Sequence, residues 1–129
     1  LPNIPAGTGE IFDPASAAFR TATDLFVGNR HGNVLGTGSI SRFTVTGSGV
    51  TFVGNYTTPG MIGVHEIAFS PTTGELFAAA VNNGIFRFTV DGSNPPVPAG
   101  QFAAGTAMRG VCVHPNGRYV YATSASSII

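Results

Sequence analysis

The stretch Gly84-Ile85-Phe86-Arg87-Phe88-Thr89-Val90-Asp91-Gly92 decides the fold, because it has a counterpart 45 residues earlier. That counterpart is Ser39-Ile40-Ser41-Arg42-Phe43-Thr44-Val45-Thr46-Gly47, and six of the nine positions are identical. A second pair of segments, residues 67–78 and 111–122, places Pro71 and Pro115 44 residues apart. A degenerate earlier copy is Ile11-Phe12-Asp13-Pro14, which leads through an insertion to residues 24–27. A period near 45 residues indicates a repeat protein.

One period contains four predicted β-strands. They cover residues 66–70, 76–81 and 85–90, with a shorter fourth strand near 100–104. The turn Asn82-Asn83-Gly84 favours a hairpin, because Asn and Gly tolerate positive φ. The preceding period repeats this hairpin with strands at 40–46 and 50–56. Four antiparallel strands in about 45 residues match one blade of a β-propeller, so the sequence predicts an all-β fold built from such blades.

The chain length then predicts an incomplete ring of about two and a half blades. Blade 1 covers approximately residues 9–63 with a loop insertion, blade 2 covers 64–108, and a partial blade 3 covers 109–129. Propellers close with about four to eight blades, and an open arc leaves apolar faces and strand edges uncovered. We therefore expect the remaining blades to come from the same gene product, from a partner chain or from a homo-oligomer.

Composition narrows the class of protein. Hydrophobic residues make up 43% of the 129 residues and charged residues 9%, against about 25% in typical domains. The six basic residues are all arginine, and six acids balance them, which predicts no nucleic acid partner. No apolar stretch reaches about 18 residues, so no membrane span is expected. Low charge and abundant Thr and Gly favour a secreted or periplasmic location. Cys112, between two valines, is predicted to be a buried, inert thiol.

The turn His114-Pro115-Asn116-Gly117, followed by Tyr119-Val120-Tyr121, resembles the lactonase/YVTN type of β-propeller (the 6-phosphogluconolactonase-like repeat superfamily). The segment Ile67-Ala68-Phe69-Ser70-Pro71 is similar to the same repeat. The resemblance covers residues 64–124 well, 22–63 fairly and the first twenty poorly. These motifs specify a blade and leave the activity open.

In propellers, the loop that leads into the innermost strand faces the central channel, and the resemblance implies Arg and His just before that strand. The corresponding pairs are His65-Glu66 and Arg109-Gly110. As a hydrolase site, His65 and Glu66 would supply a base and a carboxylate for lactone hydrolysis, while Arg109 would hold an anion. In the alternative interpretation His65 and Glu66 cap a strand, and Arg109 pairs with an acid of a neighbouring blade. Gly110 departs from the family, which often has His there.

Other polar residues receive mostly structural interpretations. Arg42 and Arg87 occupy matching blade positions, so we expect their stems to pack between blades. His114 is expected to bond to backbone within its turn. His31 lies in the inserted Gly-rich loop 28–38, which is suited to ligand or partner contact. Asn55-Tyr56-Thr57 is a glycosylation acceptor sequence in an exported eukaryotic protein.

Three functional hypotheses follow. The first is a scaffold or binding module completed by further blades, and the second is a fragment of a lactonase-like hydrolase. The third is a self-assembling lectin-like propeller, which needs sugar-stacking aromatics on equivalent loops, and Tyr56 finds a match only in Phe102 within a predicted strand. The sequence has no lysine, no nucleophile elbow, no phosphate-binding loop and no close-spaced metal ligands. No cofactor or metal is therefore expected.

Overall fold

In the computed structural model, residues 11–32, 37–92, 95–125 and 128–129 are described, and they form β-strands without a helix. The strands are β1 (Pro14–Thr21), β2 (Asp24–Asn29), β3 (Ser39–Thr46), β4 (Gly49–Tyr56), β5 (Val64–Phe69), β6 (Leu76–Ala80), β7 (Gly84–Thr89), β8 (Val97–Phe102), β9 (Met108–Val113) and β10 (Val120–Ser124). They form three antiparallel sheets in chain order: sheet 1 (β1–β4), sheet 2 (β5–β8) and sheet 3 (β9–β10). The all-β prediction is confirmed, and each of the first two sheets has four antiparallel strands.

The sequence repeat is also a repeat of strand register. Arg42 pairs with Gly54 and Arg87 pairs with Gly100, and in both sheets the register shifts immediately after the arginine. Such a shift is a β-bulge, which bends and twists a strand locally. The β3–β4 and β7–β8 ladders therefore match, including the irregular position.

The predicted hairpin at Asn82-Asn83-Gly84 is present between β6 and β7. Gly84 has φ of 86°, and a Cβ at this position would collide with the carbonyl oxygens of Phe102 and Ala103. Positive φ is accessible to Gly at little cost, and here the close approach of backbone also excludes a side chain. The turn therefore needs glycine for two independent reasons.

Two strand predictions were wrong. β1 covers the segment that was expected to be an insertion, because the repeat aligns differently: Phe19 pairs with Leu25 as Phe69 pairs with Leu76. β8 begins at Val97, three residues before the predicted fourth strand. It contains Pro98, which is tolerated because β8 is the last strand of sheet 2 and Pro is confined to edges.

Successive side chains of a strand point to opposite faces of its sheet. Sheet 2 lies between the other two sheets, so both of its faces are buried. The core between sheets 1 and 2 includes Phe26, Ile40, Leu76, Ala78, Phe86 and Phe88. The core between sheets 2 and 3 comprises Phe77, Ala79, Ile85, Met108, Val111 and Ala122. A third cluster of Ile11, Val27 and Phe43 lies on the opposite face of sheet 1. β6 therefore sends Leu76 towards sheet 1 and Phe77 towards sheet 3.

The prediction of a buried Cys112 is wrong, because the thiol is exposed. Val111 packs against sheet 2, and strand alternation turns the next residue to the opposite face of sheet 3. Across the described ranges, no helix is long and apolar enough to cross a membrane.

Candidate functional site

Charged residues within or next to strands of all three sheets lie within electrostatic range of His65, near the beginning of β5. We call Asp13, Arg30, His31, His65 and Arg109 the basic cluster. β5 lies against β1 and β2 on one side and against β9 on the other. His65 is the second residue of β5, at a bulge between Val64 and Glu66, and Arg109 is the second residue of β9. Bulges re-aim side chains, and this one sets the direction of His65.

Asp13 brings the sheet 1 members of the basic cluster together. Its Oδ2 atom lies 3.6 Å from Nη1 of Arg30 and 3.7 Å from Nε2 of His31. Its carbonyl oxygen accepts a hydrogen bond of 3.0 Å from the backbone N–H of Arg30. Asp13 has φ of 51°, a left-handed conformation that Asp adopts more readily than most residues. This short backbone link holds the carboxylate beside two basic side chains.

The surroundings of His65 favour a neutral imidazole. Burial lowers the pKa of His65, the charges of Arg30 and Arg109 lower this pKa further, and Asp13 acts in the opposite direction. Two guanidinium groups face one carboxylate, so the basic cluster keeps a net positive charge when both imidazoles are neutral. His65 and Arg109, singled out from the sequence, therefore do lie within electrostatic reach of each other.

Glu66 does not belong to the basic cluster. Its Oε2 atom accepts a hydrogen bond of 3.2 Å from the backbone N–H of Val111, which links β5 to β9. A Cβ at Gly110 would lie 2.5 Å from Oγ1 of Thr123 and 3.1 Å from Oε2 of Glu66. Glycine at position 110, where the resemblance implies histidine, thus leaves room for this contact. Glu66 therefore connects β5 to β9. Its two expected roles, a carboxylate for hydrolysis or a strand cap, stay predictions.

The sequence analysis missed Asp13 and Arg30 as site residues. Asp13 lies in the degenerate copy of the repeat at residues 11–14, Arg30 lies outside the repeated motifs, and their electrostatic effect on His65 depends on how sheets 1 and 2 stack. His31 was assigned to a contact loop, and it contacts Asp13. Within the described residues, no group of three or more His, Cys, Asp or Glu side chains is arranged to hold a metal ion.

The repeated arginines have structural contacts. Arg42 is buried, and its guanidinium donates to Asp24 at 2.7 and 3.0 Å and to the carbonyl of Gly92 at 2.8 Å. Arg87 donates to the carbonyl of Ala99 at 2.8 Å and lies 3.7 Å from Glu75. Arg42 therefore links β3 to β2 and to the segment after β7, whereas Arg87 bonds within sheet 2. The expected packing of both stems between blades stays a prediction.

The prediction for His114 also agrees with the structure. Its Nδ1 atom accepts a hydrogen bond of 3.2 Å from the backbone N–H of Asn116. The imidazole is thus bonded to backbone within its own turn, and the basic cluster does not include it.

One aromatic position recurs in all three sheets. Phe26 of sheet 1 packs edge-on against Phe69 of sheet 2, with ring centroids 5.1 Å apart. Phe77, its equivalent in sheet 2, belongs to the same core as Val113 of sheet 3. The third equivalent, Tyr121, is 43% exposed.

The position that receives this aromatic side chain also recurs. In sheet 1, the position equivalent in register to Phe69 and Val113 is occupied by Phe19, which is 55% exposed. This contact forms between sheets 1 and 2 and again between sheets 2 and 3. At the two ends of the stack, Phe19 and Tyr121 occupy the same positions without a neighbouring sheet.

Comparisons with known proteins give no family assignment. No protein-family model matches the chain, and no curated protein matches it.

Proposed function

We propose that this chain is part of a β-propeller scaffold, and that its role is to bind further sheets of the same repeat and so complete a ring. The observation that carries this proposal is the aromatic contact between successive sheets. Phe26 contacts Phe69 and Phe77 packs with Val113, while Tyr121 and Phe19 keep the same contact surfaces exposed.

The rest of the open face of sheet 3 supports the same proposal. Cys112 and Thr123 occupy the positions of Ala68 and Ala79, which pack between sheets 2 and 3. The open face therefore has small side chains around one aromatic ring, in the arrangement that sheet 2 uses to receive sheet 3. Apolar surface of this kind stabilises association when it is removed from water.

Four-stranded antiparallel sheets, stacked in sequence with their first strands adjacent, are the basis for proposing a propeller. β5 contacts both β1 and β9, so the first strands lie together, as the innermost strands of a propeller do. The additional sheets would come from the same gene product, from a partner chain or from further copies. The chain in isolation then exposes a binding face at each end of the stack.

Mass measurements test this proposal and distinguish among the three possible sources of the additional sheets. If copies assemble, native mass spectrometry of the purified protein would show multiples of 13.2 kDa, and denaturing mass spectrometry would show the single chain at 13.2 kDa. A larger denatured mass, or a second chain that co-purifies, would identify one of the other sources.

Tyr121→Arg and Phe19→Arg should each abolish the assembly. Val97→Arg is the matched control, because Val97 is 57% exposed and lies on β8 away from both contact surfaces. A chain of 13.2 kDa that stays monomeric, with no co-purifying chain and no effect of these variants, would contradict the proposal.

A lactonase-like hydrolase is the second candidate, favoured by one observation. The pKa of His65 is lowered by burial and by Arg30 and Arg109, so its imidazole is unprotonated near neutral pH, as a general base requires. The test is hydrolysis of simple lactones followed by proton release. His65→Ala should abolish hydrolysis and leave assembly intact. Glu66→Ala, by contrast, should weaken the contact between β5 and β9, because Glu66 is bonded to Val111. Unchanged hydrolysis in His65→Ala would exclude this candidate.

A further inference from the structure

A groove of about 390 Å³ lies between sheets 2 and 3, beside the free edge of β10. We call it the edge groove, and its lining includes Phe77, Ile85, Arg87, Met108, Val120 and Ile129. Phe77, Ile85 and Met108 also belong to the core between sheets 2 and 3. The edge groove is therefore an open continuation of that core.

A third strand of sheet 3 begins at this edge in the register that sheet 2 uses. Ala122 and Ile129 exchange two backbone hydrogen bonds, each of 2.8 Å. Ala122 holds the register position of Ala78, and Ala78 pairs with Phe86 of β7. Ile129 therefore stands where Phe86 stands in sheet 2. Its side chain lines the edge groove, as Phe86 lines the core towards sheet 1.

The equivalent space between sheets 1 and 2 is filled by the rest of β7 and the residue after it. Phe88 pairs with Leu76, Val90 follows two residues later, and both side chains belong to the core between those sheets. Val120 holds the position of Leu76 in sheet 3. In the described part of sheet 3, no residue pairs with Val120 on the side opposite β9. The edge groove thus corresponds to the space that Phe88 and Val90 occupy in the preceding pair of sheets.

The backbone of β10 can extend this ladder. In an antiparallel pair, every second residue directs its N–H and C=O to the same side. Val120 therefore directs both groups to the side on which Ala122 bonds to Ile129. When a peptide adds to a sheet edge, such backbone bonds provide affinity, and pockets for alternate side chains provide specificity.

Arg87, on the sheet 2 wall of the edge groove, has a donor without an acceptor. Its Nε atom is shielded from solvent and has no hydrogen-bond partner among the described residues, since Oε1 of Glu75 lies 3.7 Å away. The equivalent Arg42 donates at 2.8 Å to the carbonyl of Gly92, which follows β7 in the next sheet. A buried donor without an acceptor costs free energy. A carbonyl placed relative to Arg87 as Gly92 is placed relative to Arg42 would reduce this cost.

We infer that the edge groove binds an extended peptide strand of a partner chain, which pairs antiparallel with β10 beyond Ile129. The strand presents an aromatic side chain opposite Val120 and an aliphatic one two residues later, as Phe88 and Val90 are spaced. A following carbonyl accepts from Arg87. The two described segments with a similar pattern, β3 and β7, are already paired on both sides within their own sheets, so neither is the occupant.

This inference extends the proposed scaffold but does not rest on ring completion. A ring would cover Tyr121 on the open face of sheet 3, whereas the edge groove lies on the other face, between sheets 2 and 3. Tyr121→Arg should therefore abolish assembly and leave binding at the edge groove unchanged. The two proposals can thus fail separately.

The experiment adds a synthetic peptide with the sequence of residues 87–92, Arg-Phe-Thr-Val-Asp-Gly, to the full chain, with both peptide ends blocked. Backbone amide NMR should show saturable shifts at Val120, Ala122 and Ile129, and the amide of Val120 should exchange more slowly with solvent. A scrambled peptide of the same composition is the first control. The second control is the same peptide N-methylated at Phe, which cannot donate to the carbonyl of Val120. Each control peptide should bind at least about tenfold more weakly, since the ladder or its side-chain register is lost.

Arg87→Gln should also weaken binding of the peptide, because it removes the guanidinium that meets the incoming carbonyl. The amide spectrum of this variant shows whether it is folded, and the N-methylated peptide tests the ladder without any change in the protein. The inference is overturned if the peptide causes no saturable shifts, or if the two control peptides bind equally well. Loss of binding in a folded Tyr121→Arg variant would place the peptide on the open face instead. Shifts at Val120 that grow with the concentration of the chain alone would assign the edge groove to a second copy, and the partner chain would then be wrong.

Discussion

Equivalent acid–arginine pairs in sheets 1 and 2 differ in burial, and burial decides how much the loss of one partner lowers the free energy of unfolding. Asp24 and Arg42 have side chains that are 10% and 6% exposed, with a distance of 2.7 Å between Nε and Oδ1. Glu75 and Arg87 are 27% and 36% exposed and lie 3.7 Å apart. Removing one partner of a buried pair leaves an uncompensated charge, whereas water solvates the survivor of an exposed pair.

Asp24→Asn should therefore destabilise the chain by about 3–5 kcal/mol, because it leaves Arg42 and Arg20 without their shared carboxylate. Glu75→Gln, the same change at the equivalent position, should cost less than about 1 kcal/mol. Urea unfolding of both variants measures the difference. Similar losses in the two variants would mean that burial does not distinguish these pairs.

His65 predicts a pH dependence of stability. Its pKa in the folded chain is lowered by burial, Arg30 and Arg109, so between this pKa and the unfolded value of about 6.5 the unfolded chain binds more protons. The free energy of unfolding then rises with pH across this window, and it falls as the solution is acidified below about 6.5. Urea unfolding at several pH values should show this slope, and His65→Gln should remove its contribution. Arg109→Gln should reduce the slope, since it removes one charge that disfavours imidazolium. An unchanged slope in His65→Gln would refute the prediction.

At the scale of elements, the turn before β7 combines a left-handed backbone with close packing, and a matched pair of glycines separates these effects. Gly74 has φ of 69° and no atom within 4 Å of an added Cβ, whereas at Gly84 the Cβ would meet backbone oxygens. Gly74→Ala should cost about 1–2 kcal/mol from the left-handed conformation alone. Gly84→Ala should cost clearly more, because the end of β8 must move away. Equal losses of unfolding free energy would show that the packing around Gly84 adds nothing.

The sequence predicted those elements whose signals are local. The hairpins β3–β4 and β6–β7 follow from alternating apolar residues around Gly- and Asn-containing turns, and both are present. β1 was missed because Pro14 resembles the proline that follows the first strand of later repeats, although here it begins the strand. β8 was misplaced because prolines usually argue against strands, and only its edge position permits Pro98.

For the candidate site, the resemblance to the lactonase/YVTN type singled out His65 and Arg109, which hold equivalent positions in β5 and β9. The roles of Asp13 and Glu66 depend on contacts with residues distant in sequence, within sheet 1 for Asp13 and between sheets 2 and 3 for Glu66. Asp13 meets Arg30 17 residues away, and Glu66 meets Val111 45 residues away. No local pattern encodes these distances, so sequence periodicity could identify strands but could not assign their polar partners.

At the scale of the whole molecule, the stack exposes a different surface at each end. On the outer face of sheet 1, Phe19 is exposed beside the buried cluster of Ile11, Val27 and Phe43, while Tyr121 and Cys112 are exposed on the open face of sheet 3. Contacts between unlike surfaces generate closed rings or open fibres, according to the rotation between successive units. The proposed ring requires a rotation that closes after a whole number of sheets.

Cys112 gives a direct readout of this association, because it is the single cysteine of the chain and lies on the surface that would be covered. Its equivalent, Ala68, packs against sheet 3. We predict that a thiol reagent labels Cys112 rapidly in dissociated chains and at least about tenfold more slowly in assembled ones, since burial excludes the reagent. Labelling rates measured over a range of protein concentrations, or with and without a co-purifying chain, would show this difference. Tyr121→Arg should keep labelling rapid under all these conditions, whereas Val97→Arg should behave as the unaltered chain. Rapid labelling of a verified assembly would show that its contacts leave the open face of sheet 3 uncovered, and the proposed ring would then be wrong.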